Sequence, residues 1–137
     1  MKPDDPGRTG GIPLAVAGAH LGGQPLNHQL TERSARLLES TTTAARYRMY
    51  ALPTDPPKPG LVRTANGGRA QAVEIWELAA ADFGTFVAGL PAPMAIGKVE
   101  LGDGREVPGF LVEPVAVSGA RDITDFGGWV NYLDSLT

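Results

Sequence analysis

Apolar residues fall in short runs divided by glycine, proline and Asx-Gly pairs, the pattern of a strand-rich domain with few helices. The run Ile12 to Ala17 ends in Gly18, which predicts a buried strand feeding a tight loop that carries Ala19, His20 and Leu21. Pro25 to Leu30 suits a short helix. Ala35 to Ala45 pulls two ways, Leu37 and Leu38 towards helix and Thr41, Thr42 and Thr43 towards strand, and the β-branched threonines favour extended chain. Arg46 to Leu52 alternates, with Tyr47, Met49 and Ala51 on one face, so it reads as a strand that the proline-rich stretch Thr54 to Gly60 then stops. Asn66-Gly67 and Asp103-Gly104 each divide two apolar runs and supply positive φ cheaply, which predicts two antiparallel hairpins. Between them, Phe83, Phe86, Val87 and Leu90 recur at helical spacing, with Asp82 near the helix start. A second helix is expected from Thr124 or Asp125 through Phe126, Trp129, Val130 and Leu133, weakened in its first turn by Gly127-Gly128.

These elements predict an α+β fold, a single domain with a mixed, largely antiparallel sheet or barrel flanked by helices. Residues 1–11 read as a flexible tail, because prolines and glycines there neither nucleate a helix nor bury apolar surface, and the domain is expected over residues 12–137. Twelve basic against fifteen acidic residues give a net charge of −3, no footprint for nucleic acid or an anionic membrane. The absence of cysteine removes thiolate nucleophiles and Cys-ligated zinc. His20 and His28 stand eight apart, outside the spacing of a helical metal pair, so neither a metal nor a cofactor is expected. No apolar run reaches the ~18 residues of a membrane span, and the N-terminus lacks the apolar core of a signal peptide, so a cytoplasmic location is expected.

Among single residues, His20 draws attention because it follows a buried strand and a glycine, in a loop where chemistry concentrates. Lys58 sits in Pro56-Pro57-Lys58-Pro59-Gly60, a segment that reads either as a rigid solvent turn or as a preorganised cation. Asp122 precedes a helix start, where capping competes with a ligand role. Trp76, Phe83, Phe86, Phe110, Phe126 and Trp129 fall at packing periods and read as core.

Three segments together resemble the C-terminal domain of allophanate hydrolase: GAHLGGQPLNHQL (Gly18 to Leu30), RYRMYALP with PPKPGLVR (Arg46 to Arg63), and GARDITDFGGWVNYL (Gly119 to Leu133). The first is also similar to the strand-loop opening of the γ-glutamylcyclotransferase-like family, which implies a small closed or nearly closed mixed barrel with helices. Two departures stand out. Phe86 to Pro91 holds no acid where a cyclotransferase glutamate is expected, and nothing corresponds to the Ser-Ser-Lys set of the amidase domain.

The resemblance implies promotion of the step after amide hydrolysis, decarboxylation of N-carboxycarbamate in urea and allophanate degradation. His20 is then the candidate proton donor to the bridging nitrogen. The substrate, a small carboxylated amide, is a dianion. Its expected binding groups are the backbone amides of Gly18, Ala19 and Leu21, the side chains of Asn27, Gln29, Tyr50 and Asp122, and Lys58 with Pro59. A separate amidase is the expected partner, and a homo-oligomer is compatible with the sequence. The alternatives are a non-catalytic module that docks to that amidase through an exposed helix Phe126 to Leu136, and a γ-glutamylcyclotransferase-like enzyme recruiting Glu74, Glu77 or Glu113.

Overall fold

The computed structural model describes residues 11–137; the tail expected over residues 1–10 lies outside them. Gly11, assigned to that tail from the sequence, opens the first strand. In chain order the elements are β1 (Gly11–Val16), α1 (His28–Thr31), β2 (Arg36–Thr42), β3 (Tyr47–Leu52), β4 (Lys58–Arg63), β5 (Ala72–Ala79), α2 (Ala80–Ala88), β6 (Met94–Glu100), β7 (Glu106–Val112), β8 (Arg121–Asp122) and α3 (Trp129–Asp134). Two 3-10 turns, Pro114–Val117 and Thr124–Phe126, precede β8 and α3. The fold is α+β, as expected.

Five strands form one sheet in the order β2-β5-β1-β7-β6, and three form a second, β4-β3-β8. Every pairing is antiparallel except β1 with β7, which meet at Ala15 and Gly109. Leu14, Ala15 and Val16 are all buried, so both faces of β1 are covered there and the alternation of a one-faced strand is absent. The two edges of the larger sheet come together at one end, where Thr43 bridges Leu101 and the Ala44 N–H donates to the Glu100 carbonyl at 2.9 Å. Arg105 ties the same end with two hydrogen bonds to Glu39. The sheet is curled and pinned at that end; it is not a closed barrel.

Two sequence expectations change here. Asp103-Gly104 does turn the β6-β7 hairpin, with Gly104 at φ 94°. Asn66-Gly67 turns the chain too, with Gly67 at φ 75°, but β4 pairs back onto β3 while β5 joins the other sheet. After the turn, Arg69 donates its N–H to the Tyr47 carbonyl and carries the chain across. A positive-φ dipeptide specifies a reversal, not the partner of the strand that follows. The second change concerns Lys58 and Pro59, expected in a loop. Both belong to β4, and because β4 is the edge of its sheet the missing proline N–H removes no obligatory ladder bond.

The C-terminal segment also differs. Gly127 adopts φ 76° and ends the 3-10 turn, and a Cβ on Gly128 would stand 3.0 Å from Ala72 Cβ, so the glycine pair allows close approach to β5. Trp129 and Tyr132 of α3 are buried, while Val130 and Leu136 are exposed, so the segment considered for docking packs on one face and presents apolar side chains on the other. No helix among the described residues is long and apolar enough to cross a membrane.

Gly18 sits where β1 leaves the sheet, and a Cβ there would overlap the Pro59 ring of β4. Gly84, in the exposed middle of α2, has nothing within 4 Å of an added Cβ. Gly18→Ala is expected to lower stability to urea unfolding by about 1–3 kcal/mol through overpacking. Gly84→Ala is expected to raise it by up to about 1 kcal/mol through helix propensity; equal effects of one sign would contradict this packing.

Candidate functional site

The turn after β1 is built by its own backbone. Leu21 N–H donates to the Gly18 carbonyl at 2.9 Å, Leu26 N–H to the Ala19 carbonyl at 2.8 Å, and the Asn27 side-chain amide to the His20 carbonyl at 2.9 Å. Among the described residues the N–H groups of Gly18, Ala19 and His20 have no acceptor. All three residues line a cavity of about 480 Å³. Consecutive unpaired N–H groups at a concave wall are the chemistry of an anion-binding nest.

His20 is buried, its ring stacked on Phe110 at 5.0 Å between centroids and edge-on to Phe86 at 5.2 Å. Nε2 lies 2.7 Å from Gln29 Oε1. An amide oxygen only accepts, so Nε2 carries the hydrogen and Nδ1 is the nitrogen left for a ligand. Burial lowers the His20 pKa below its ordinary value; the Gln29 hydrogen bond opposes this, and the charges of Lys58 and His28 add to the lowering. The free site therefore holds a neutral imidazole at neutral pH.

Around the histidine, Gln29, Arg33 and Lys58 face the same cavity. Arg33 is held by the Gln29 carbonyl at 2.9 Å and Thr85 Oγ1 at 3.4 Å, with its guanidinium 5.6 Å from the centre of the Phe86 ring. His28 lines the wall as well and donates Nδ1–H to the Pro25 carbonyl at 3.0 Å. Glu32 and Asp55 are the acids of the lining. Among the described residues no three His, Asp or Glu side chains group as a metal site.

Of the residues singled out in the sequence, Gly18, Ala19, His20, Gln29, Lys58 and Pro59 converge on this cavity. Four do not. Leu21 turns into the core and a shallow groove beside β2 and β5, and its N–H is already bonded. Asn27 is outside the lining, its amide committed to holding the His20 carbonyl. Tyr50 lies on β3 opposite Gly60 and Asp122, away from the cavity. Asp122 accepts from the Thr124 N–H and hydroxyl at the start of the 3-10 turn and pairs with Arg48, the structural role of the two considered for it. Burial would raise its carboxyl, but these Thr124 and Arg48 contacts outweigh that and hold it below the usual range.

Phe86 and Phe110, read as core from their spacing, do pack in the core, and they also clasp His20. Arg33 escaped the sequence reading although it stands one helical turn beyond Gln29, a spacing that places two side chains on one face. The acids that a cyclotransferase reading requires are elsewhere. Glu74 accepts from Gly22 N–H and Trp76 Nε1, Glu77 pairs with Arg36, and Glu113 is exposed.

The lowered His20 pKa has a direct check. Followed by NMR, the ring is expected to titrate below 6.5 in the wild type, higher in Lys58→Met and lower in Gln29→Leu. Titration at or above 6.5, unmoved by Lys58→Met, would contradict the described environment.

Comparison with known proteins agrees with this architecture. The family model of the allophanate hydrolase C-terminal domain matches residues 12–134. The urea amidolyase of Lachancea kluyveri is 40% identical over 130 residues, covering 91% of this chain and 7% of the relative, so the chain spans a small part of that relative's length. Among solved structures, Kluyveromyces lactis allophanate hydrolase superposes with a TM-score of 0.90 at 40% identity, over 94% of this chain and 22% of that one. The uropathogenic E. coli-specific protein c4763 superposes at 0.85 with 35% identity, over 90% of this chain and 96% of its own. An aig2-like protein from Mus musculus, 16% identical with a TM-score of 0.60 over 79% of this chain and 83% of its own, shares the fold alone. By the family match, the identities and the superpositions together, the chain belongs to the allophanate hydrolase C-terminal domain family.

Proposed function

We propose that this domain binds a small N-carboxylated amide, N-carboxycarbamate or a close relative, and promotes its decarboxylation with His20 as proton donor. The observation that carries the reading is a buried histidine that lines one cavity with Gly18 and Ala19, whose backbone N–H groups have no acceptor among the described residues, and with the cations Lys58 and Arg33. A dianion fits that set. Backbone N–H groups and Lys58 or Arg33 answer its two carboxylates, and the Gln29 side-chain nitrogen, left over once Oε1 accepts from His20, supplies a neutral donor.

The chemistry follows from the pKa of His20. Burial and Lys58 keep the imidazole neutral in the empty site, while an entering dianion favours the imidazolium and draws a proton onto Nδ1. As the C–N bond to one carboxylate breaks, carbon dioxide leaves, the electron pair remains on nitrogen, and Nδ1–H transfers its proton there to give carbamate. Gln29 orients the ring, and the Phe86 and Phe110 rings reduce the water around it, which strengthens each charge interaction. The family name of the relatives, and the urea amidolyase and allophanate hydrolase chains of which they form part, support an amidase as the source of the substrate.

The test is carbon dioxide release from allophanate supplied with a separate, decarboxylation-deficient amidase. Wild-type chain is expected to stimulate release. His20→Ala is expected to lose on the order of 100-fold of that stimulation, the usual scale of general-acid catalysis, with its fold retained by circular dichroism. Absence of stimulation by the wild type would overturn the decarboxylase reading.

A further inference from the structure

The cavity is more than large enough for the dianion proposed for it. N-carboxycarbamate, a nitrogen between two carboxylates, has seven heavy atoms and fills at most roughly 200 Å³ when each is allowed the ~30 Å³ that one water occupies in the liquid. The cavity holds about 480 Å³. Its donors come from the Gly18 to His20 loop, Gln29, Arg33 and Lys58. The same lining includes apolar side chains: Leu61 from β4, Leu90 and Pro91 from the segment after α2, and Met94 at the start of β6.

Leu90 and Met94 pack against the core yet are only half-buried, so apolar side chains keep water-exposed surface inside a concavity. Such surface gains from contact with apolar ligand atoms and gains nothing from a small dianion. We propose that the site takes dianions of the malonate and N-carboxycarbamate type that carry an uncharged apolar substituent of several carbons. The carboxylates occupy the donors, and the substituent lies along Leu61, Leu90, Pro91 and Met94. This inference rests on the dianion reading above and widens its substrate class.

Malonate and butylmalonate separate the two. Malonate replaces the bridging nitrogen with carbon and does not react under binding conditions. Titrated calorimetrically into the wild-type chain, butylmalonate is expected to bind at least tenfold more tightly than malonate, because its chain buries apolar surface. In Met94→Trp, which fills the apolar part of the cavity, the ratio of the two affinities is expected to fall to about one; Leu90→Asp serves the same purpose if the tryptophan variant does not fold. Malonate binding without a butyl gain overturns this inference and leaves the dianion site standing. Failure of the wild type to bind either compound overturns the dianion reading and this inference with it.

Discussion

Strand β1 pairs with β5 along one edge and meets β7 at Ala15 on the other, its last three residues are buried on both faces, and the site depends on that constraint. A strand enclosed in this way has one register, so the chain leaves the sheet at a fixed point and turns with Gly18, Ala19 and His20 at the cavity wall. The enclosure is tight. A Cβ on Gly109 would lie 2.9 Å from the Ala15 Cβ and 3.1 Å from its carbonyl oxygen, and a Cβ on Gly18 would occupy the Pro59 ring. The first close approach seats β7, which carries Phe110 onto the His20 ring. The second seats β4, which carries Lys58 to the cavity.

The electrostatics follow from the same packing. A histidine enclosed by two aromatic rings loses hydration, and a nearby lysine raises the cost of charging it further. Alone, that environment makes the imidazole a weak base. Under the proposed function an entering dianion would do the reverse, since two negative charges would outweigh one lysine and the ring would acquire its proton when there is a substrate to receive it. Gln29 fixes which nitrogen faces the ligand. Asn27 fixes the loop that holds the ring. Neither residue needs to touch the ligand for its loss to disturb the site.

Much of this was legible in the sequence because it rests on local rules. The apolar run ending at Gly18 announced a buried strand and a loop, alternation announced β3, and Asp103-Gly104 announced the β6-β7 hairpin. What escaped depends on partners distant in sequence. Asn66-Gly67 turns the chain, but nothing local says that β5 joins a different sheet from β4. Proline density made Lys58 and Pro59 look like loop, because a proline is tolerated in a strand only when that strand is an edge, and edge status belongs to the sheet. Asn27 and Asp122 are polar residues whose hydrogen bonds are claimed by the protein, and Tyr50 lies on a strand that does not reach the cavity. Phe86 and Phe110 have the spacing of core residues and are core residues; their second contact, with His20, is a property of the assembled fold.

The central claim is that His20 answers a dianion by taking up a proton, and the most direct measurement is calorimetry of malonate binding near pH 7 in buffers of different ionisation enthalpy. A neutral imidazole in the free site, with its pKa lowered from 6.5, predicts net proton uptake by the wild-type chain and its loss in His20→Gln. Malonate binding with no change in protonation, or with the same uptake in His20→Gln, would contradict the account.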